Sequence, residues 1–333
     1  MHTIAESTIG RSKPHSSQGS YRLYKRMNPP MSQTILITGG TGTIGRRLVQ
    51  LLLQQGFKVS LLSRTNKPIP DVTTYQWDIK KGHIDPKAIQ TADHIIHLAG
   101  AGIADERWTD ARKDEILSSR TQSTELLAQA LARNPHNVKS FIASSAIGFY
   151  GGDTADRPLT ETSQGGSDFL AQVVRAWERS EDRVAALGIR TVKLRTGVVL
   201  TMEGGALPKL AQPVRLGAGA PIASGQQYLS WIHIDDLCRL YIQALTDESW
   251  QGVYNAVAPN PVTNEALTKA IANVLHRPMI LPNIPGFVIR MMFGELAITV
   301  LGGNYVLNKR IADETTFQYN YADLTNALKD LLG

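Results

Sequence analysis

The sequence predicts an α/β protein built on a doubly wound parallel sheet, with a small, mainly helical C-terminal domain. Three observations lead there. A short β-branched run, Thr34–Thr38, passes through a glycine-rich turn into an amphipathic helical period. The same alternation of apolar run and helical period recurs along most of the chain, as the strands of a sheet covered on both faces require. A chain of 333 residues, 42% hydrophobic and 19% charged, can bury one large core or two modest ones, which excludes a disordered polymer.

Residues 1–30 stand apart: they are rich in Ser, Pro, His and basic residues, lack apolar periodicity, and carry four of the six net positive charges. They read as a disordered tail. An upstream start with the working start at Met31, or plain disorder, is the preferred explanation, ahead of a processing segment or an organelle-targeting sequence. From Thr34 the elements follow in order. Ile44, Leu48, Leu51 and Leu52 mark one face of a helix running to Gln55. Strands are predicted at Lys58 to Leu62, Thr73 to Trp77 and His94 to Leu98. A long helix then spans about Asp110 to Arg133, followed by a strand at Val138 to Ser144, a helix at Phe169 to Leu187 and a sixth strand at Ile189 to Leu194.

The stretch after Thr196 reads as loop, because Gly204, Gly205, Gly217, Gly219 and Gly225 crowd into it. Tyr228 to Ile234 reads as a strand, Asp235 starts a helix to about Leu245, and Gly252 to Val257 is a further strand. Short helices at Asn264 to Leu275, Gly286 to Leu301 and Tyr321 to Leu332 complete the chain. The predicted organisation is a nucleotide-binding domain of residues 31–200 plus 231–257, and a substrate-side domain of residues 201–230 plus 258–333. Core packing is the simpler expectation for Phe287–Phe293; closing the substrate side, or a dimer contact, is the alternative.

Composition narrows the function classes. The single cysteine, Cys238, excludes a disulfide framework, and no Cys/His cluster has zinc-ligand spacing, so no metal is expected. The longest apolar stretch, Gly286 to Gly303, is interrupted by Arg290 and Glu295, so no membrane span is expected. With only +2 left for residues 31–333 and no nucleic-acid motif, nucleic acid is not an expected partner. A soluble, cytoplasmic monomer or homodimer is the expectation.

The chemistry concentrates in Thr38-Gly39-Gly40-Thr41-Gly42-Thr43-Ile44-Gly45, a T-G-x-x-G-x-x-G run between strand and helix. Gly39 permits the tight turn, Gly42 lets backbone approach a pyrophosphate, and Gly45 lets the helix pack on the strand, while Thr43 and Ile44 open the helix whose N–H groups face the phosphates. An acid is expected roughly 20 residues further on if the nucleotide is NAD. The second strand instead ends in Ser63-Arg64-Thr65, a hydroxyl and a planar guanidinium suited to the 2′-phosphate of NADP. Asp78, at the end of the third strand, is read as an acceptor for the adenine amino group, with a cap or turn role as the alternative.

These features resemble an extended-type short-chain dehydrogenase/reductase, a Rossmann-fold group that includes sugar-nucleotide epimerases and dehydratases. The resemblance covers residues 33 to about 330. His97-Leu98-Ala99-Gly100 is similar to the group's cofactor-lining segment, which implies contacts from Leu98, Ala99 and Gly100, and Trp231-Ile-His-Ile-Asp235-Asp236-Leu237 to its later strand-to-helix segment. More narrowly, Ser144–Gly151, Arg195-Thr-Gly-Val-Val, Gly225-Gln-Gln-Tyr228 and the helical tail resemble an atypical, epimerase-like branch with a C-terminal domain of unknown function.

The chain departs from the group's pattern at its centre. Extended members carry Tyr-x-x-x-Lys on the helix after the fifth strand, where lysine tunes the tyrosine as acid or base. Here that helix presents Phe169 and Val173. The matches Tyr21 to Lys25 and Tyr305 to Lys309 fall in the tail and in the final helical region, and are read as chance. Ser145 matches the group's serine and Tyr150 is the nearest phenol, so these two are the catalytic candidates, with a wall role as the alternative for Tyr150. Arg195 and Tyr228 are candidates for substrate contact, and Arg120 for a cofactor phosphate; Lys193 is a lesser version of the same idea. His233 is read as structural, satisfied by Asp235 or by backbone. Two functions follow: an NADP-dependent reductase or epimerase acting on a small carbonyl, polyol or nucleotide-linked substrate, or a non-catalytic NADP(H) sensor that binds a protein partner.

Overall fold

The computed structural model describes residues 33–65 and 67–333; the expected tail, residues 1–30, lies outside them. Eight strands form the main sheet: β1 (Thr34–Thr38), β2 (Lys58–Ser63), β3 (Val72–Asp78), β4 (His83–Ile84), β5 (His94–His97), β6 (Ser140–Ala146), β7 (Arg190–Thr196) and β8 (Gly252–Ala256). Their order is β8-β7-β6-β5-β1-β2-β3-β4, parallel except for the two-residue β4 at one edge. The order reverses between β1 and β5, so the chain leaves both strands in opposite directions and opens a crevice at their C-terminal ends.

Side-chain alternation explains why both faces are covered. Ile35 and Ile37 point to one face, with Leu48 and Leu52 of helix α1 (Thr43–Gln54) and Leu237, Cys238 and Leu240 of a helix further along the chain. Leu36 points to the other, with Leu127 and Leu131 of helix α2 (Asp110–Arg133) and Val184 of helix α3 (Phe169–Ala185). Each such fully buried aliphatic side chain contributes about 1.5–3 kcal/mol. Truncating Leu36, which is 0% exposed, would cost about 2–5 kcal/mol.

Of the helices that follow, α4 (Ala206–Arg215), α6 (Asn264–Val274) and α8 (Leu324–Leu332) share a separate apolar cluster, which α5 (Ile234–Thr246) and α7 (Gly286–Phe293) do not join. Leu207, Ala211, Leu267, Ile271, Ala327 and Leu328, from α4, α6 and α8, pack around Trp231 there, while α5 belongs to the sheet and α7 contributes one buried side chain, Ile289.

Four expectations are corrected. The stretch read as loop contains α4, which tolerates Pro208 in its first turn but carries Pro213 inside. The strand expected at Tyr228 to Ile234 is two short ones outside the main sheet: Tyr228–Leu229 pairs with Val262–Thr263, and Trp231–His233 with Val198–Leu200. The helix expected from Gly286 to Leu301 breaks at Gly294, whose φ of 61° L-residues rarely adopt, and resumes only at Ile298–Leu301. Core packing of Phe287–Phe293 is the fourth: Phe287, Met291 and Met292 are exposed. Among the described residues no helix is long and apolar enough to cross a membrane.

Candidate site at the sheet's C-terminal edge

The glycine turn is shaped by what its glycines lack. Gly39 has φ 70°, and a Cβ there would lie 2.9 Å from the Leu98 carbonyl, so only glycine lets the loops after β1 and β5 meet. A Cβ on Gly45 would lie 2.3 Å from the Gly39 oxygen, which fixes how closely α1 packs on the turn. Gly42 is the N-cap of α1, its N–H donating to the Gly39 oxygen at 3.0 Å. Thr43 and Ile44 begin the helix. Unlike α2, α3 and α6, capped by Thr109, Asp168 and Thr263, α1 has no side-chain cap and no acid in its first turn. Its first N–H groups are left for an anion, and the helix dipole favours negative charge there.

Beside the turn, at the end of β2, a cavity of about 210 Å³ is lined by Thr41, Leu61, Ser63, Thr65, Lys67, Ile69 and Thr74. Ser63 is half-buried, its Oγ accepting from the Thr65 N–H at 3.2 Å; Arg64 is exposed at the same strand end. Lys67 is a cation that the sequence reading missed, because it lies past the strand with no motif of its own. Asp78 takes the turn role: one carboxylate oxygen accepts from the Lys81 N–H at 3.1 Å and the other lies 3.7 Å from its ammonium.

The loop after β5 is pinned by a buried histidine. Thr38 Oγ1 accepts from the N–H groups of Leu98 and Ala99, both at 3.2 Å, so its own proton goes to His97 Nδ1 at 2.7 Å. His97 Nε2–H then donates to Thr124 Oγ1 at 3.1 Å, whose hydroxyl donates to the Arg120 carbonyl. Burial pushes the neutral imidazole down to about 3. Three residues on, Gly100 is exposed, and a Cβ there would lie 3.3 Å from Cγ and Cζ of Arg120. The Arg120 guanidinium is 7% exposed and sits over the Trp177 ring; burial, then the charge of Arg112, lowers it to about 10.

Ser145, Tyr150 and Arg195 come together in one buried network. Ser145 Oγ donates to Glu178 Oε1 at 2.7 Å, and Arg195 forks onto both oxygens of the same carboxylate at 2.8 Å. Arg195 also donates to the Tyr150 hydroxyl at 3.1 Å, which donates to Asn255 Oδ1 at 2.7 Å. Ser145, Tyr150 and Arg195 are each under 5% exposed. Burial, the largest influence, raises the Tyr150 phenol despite the neighbouring guanidinium. Glu178 and Asn255 are partners the sequence reading missed. Glu178 carried a signal, since an acid on the stripe of α3 that faces the sheet needs a buried counter-charge.

Tyr228 is not part of this network; it meets Tyr305 edge-on, with ring centroids 4.8 Å apart. Lys193 donates to Asp182 and to the Glu178 carbonyl. Phe169, where a tyrosine would stand, meets Trp108 edge-on at 4.9 Å and has the Lys113 ammonium 5.6 Å from its centroid; Lys113 is also paired with Glu295. Tyr305 and Lys309 lie in a strand and a separate short helix, so their spacing puts no pair on one helix face. His233 Nδ1 accepts from the Asp235 N–H at 3.1 Å, the structural role the sequence suggests.

A glycine turn on an uncapped helix at the switch point of a parallel sheet defines a Rossmann-type dinucleotide-binding protein. The comparisons narrow the class: residues 35–256 match the NAD dependent epimerase/dehydratase family and residues 284–331 a domain of unknown function, DUF1731. The chain belongs to the NAD dependent epimerase/dehydratase family, and the branch read from its sequence, with its C-terminal domain, is the one found. It is 36% identical to the epimerase family protein YfhF of Bacillus subtilis over 90% of this chain and 97% of that protein. The crystal structure of human epimerase family protein SDR39U1 with NADPH superposes with a TM-score of 0.79 at 34% identity, covering 90% of this chain and 99% of that one. A nucleoside-diphosphate sugar epimerase from Corynebacterium glutamicum gives 0.73 at 34% identity, covering 91% of this chain and 58% of that one.

Proposed function

We propose that the protein is an NADP(H)-binding reductase or epimerase that works on a small carbonyl, polyol or nucleotide-linked substrate without a Tyr-x-x-x-Lys pair. The observation that carries the reading is the uncapped, acid-free N-terminus of α1 beside a cavity lined by Ser63 and Lys67, with Arg64 exposed at the same strand end. Gly39, Gly42, Thr43, Ile44 and Gly45 would take the pyrophosphate, with Leu98, Ala99 and Gly100 lining the nucleotide. Ser63, Arg64 and Lys67 would take a 2′-phosphate, which NAD lacks. The human relative crystallised with NADPH supports this preference. Bound NADPH would supply the hydride; the chain's own part is to orient the nucleotide and the substrate.

In this reading residues 31–200 plus 231–257 hold the nucleotide, and residues 201–230 plus 258–333 lie on the substrate side of a cytoplasmic monomer or homodimer. Ser145 and Tyr150 shape the floor of the site through Glu178 and Arg195. Tyr228 and Arg195 remain substrate-side candidates, and Asp78 bounds the adenine end from its turn. The sensor reading is favoured by one observation: the Ser145 proton is already committed to Glu178, and Phe169 cannot donate one.

Calorimetric titration of the full chain with NADPH and NADH tests the cofactor. NADPH should bind more tightly, and Arg64→Ala or Lys67→Ala should weaken it about tenfold while sparing NADH, as loss of a charge-assisted phosphate contact would. Equal affinity for both nucleotides, or none, would end the NADP reading. NADPH oxidation across a panel of carbonyl compounds separates enzyme from sensor, and unchanged turnover in Ser145→Ala/Tyr150→Phe would remove both residues from the mechanism.

A further inference from the structure

We infer that Arg120 anchors an acidic group of the substrate, a carboxylate or a phosphate, reached across Gly100. The inference rests on the nucleotide-binding reading and narrows its substrate to an anion. On α2, Thr124 meets His97 at the end of β5. Arg120 lies one turn, about 6 Å, closer to the helix N-terminus, past the strand ends where open α/β sheets bind their ligands.

Its guanidinium lacks the partner a buried cation needs. Nη1 donates to the carbonyl of Ile116 in its own helix at 2.9 Å, Nε has no hydrogen-bond partner, and no carboxylate pairs with it among the described residues. The charge acting on it is a second cation, Arg112. Other buried cations nearby are matched: Arg195 by Glu178, Lys193 by Asp182, and Arg112 by Asp105 and Glu115. An unpaired buried charge is costly, and a planar guanidinium fits a two-oxygen anion with two parallel N–H donors.

An aromatic ring and a glycine are the neighbours that matter for the guanidinium. The Trp177 ring, 5.0 Å away, backs the guanidinium. Gly100 is exposed, its φ is outside the left-handed region, and a side chain there would stand against Arg120, so glycine leaves this side of the guanidinium without a covering side chain. The helix N-terminus suited to the pyrophosphate is that of α1, which packs on the opposite face of the sheet from α2. The cavity with Ser63 and Lys67 lies at β2, on the far side of β1 from β5. An acid on the substrate is therefore the anion left for Arg120, although the residue read at first as a cofactor contact.

The test is calorimetric titration of the full chain, nucleotide-free and saturated with NADP+, using malonate and inorganic phosphate as probes. Wild type should bind at least one probe. Arg120→Gln should weaken that binding by at least about tenfold, the size expected for losing a charged hydrogen-bonding pair, and Arg120→Lys should retain part of it. Gly100→Val, whose side chain would press against the guanidinium from Cγ to Cζ, should lose the probe likewise. NADP+ affinity should stay within about twofold in Arg120→Gln and Arg120→Lys. A tenfold loss of NADP+ affinity in Arg120→Gln would overturn the proposal by giving the guanidinium to the cofactor, and so would probe binding that is absent in wild type or equal in Arg120→Gln and Gly100→Val. Failure of the nucleotide reading shows separately, as wild type that binds no NADP+ while the nucleotide-free titration still reports on Arg120.

Discussion

At the scale of single residues, the buried histidine at the end of β5 ties pH to stability. Because Thr38 Oγ1 accepts two N–H groups, His97 must be neutral at Nδ1, and burial holds it at about 3 against 6.5 in the unfolded chain. Between those values the unfolded chain binds a proton that the folded one refuses. Stability is therefore complete above about pH 6.5 and falls as pH drops toward 3, by about 1.4 kcal/mol per pH unit for this group. His94, lowered to about 4 mainly by burial, acts in the same direction. Urea midpoints should fall from pH 6.5 to pH 5, and His97→Asn should flatten that slope; an equal slope in the variant would remove His97 as its source. The Glu178 network gives a second contrast. Glu178→Ala strands the Arg195 guanidinium in the interior and should cost about 3–5 kcal/mol. Ser145→Ala leaves Arg195 paired through both oxygens and should cost about 1 kcal/mol, and denaturant melts of the two variants read the difference.

At the scale of elements, what was legible in the sequence follows the range of the interactions. The glycine turn and α1 are local: Gly45 answers a clash within a few residues and Gly39 one with the neighbouring loop at Leu98, and the pattern is continuous in the chain. Long periodic helices such as α2 and α3 are legible for the same reason, because their apolar stripes repeat over several turns. The network at β6 is not, since it joins residues 33, 17, 45 and 105 positions apart, and no single stretch carries its spacing. The proposed anion sites divide likewise: Arg64 is announced by a strand end, whereas the unpaired state of Arg120 appears only when the neighbours are in place. In α7 a hydrophobic sequence misleads, because hydrophobicity without a clear stripe does not say which face is covered. Phe287, Met291 and Met292 are 68%, 71% and 57% exposed, and only Ile289 is buried. Met291→Ser and Met292→Ser should each shift stability by no more than about 0.5 kcal/mol, whereas Ile289→Ala should cost about 2 kcal/mol. Equal losses in chemical denaturation at the three positions would mean that the outer face of α7 is covered in solution.

At the scale of the molecule, the C-terminal segment is strapped to the sheet rather than docked by apolar area alone. Asp236, 0% exposed in the first turn of α5, accepts from the N–H groups of Asn320 and Tyr321 at 2.9 and 2.8 Å and from Arg239 at 2.7 Å. The Tyr319 hydroxyl donates to the Val257 carbonyl, and the Tyr321 ring stacks on His233, with centroids 3.8 Å apart. The strand-to-helix segment Trp231–Leu237 thus serves as an anchor for the chain end: Asp236 carries the strap while His233 caps α5. In Asp236→Ala two backbone donors and one guanidinium lose a buried acceptor, so the cost should reach about 3–5 kcal/mol. The loss should also be directional. Tyr321 and α8 share their apolar cluster with α6 and α4, whereas β1, β5 and β6 are held by the sheet ladder and the cores on its two faces, one of which also takes Phe317 and Tyr319. Hydrogen exchange should therefore speed up at amides 320–332 before it changes in β1, β5 or β6, as expected where the chain opens in separate cooperative units. Calorimetric affinity for NADPH should stay within about twofold of wild type, because the glycine turn is closed by its own backbone and the Leu98 loop rather than by the Asp236 contacts. Acceleration spread evenly over the sheet and the tail would show instead that the two regions open as one unit, with the Asp236 strap binding the whole molecule into a single cooperative fold.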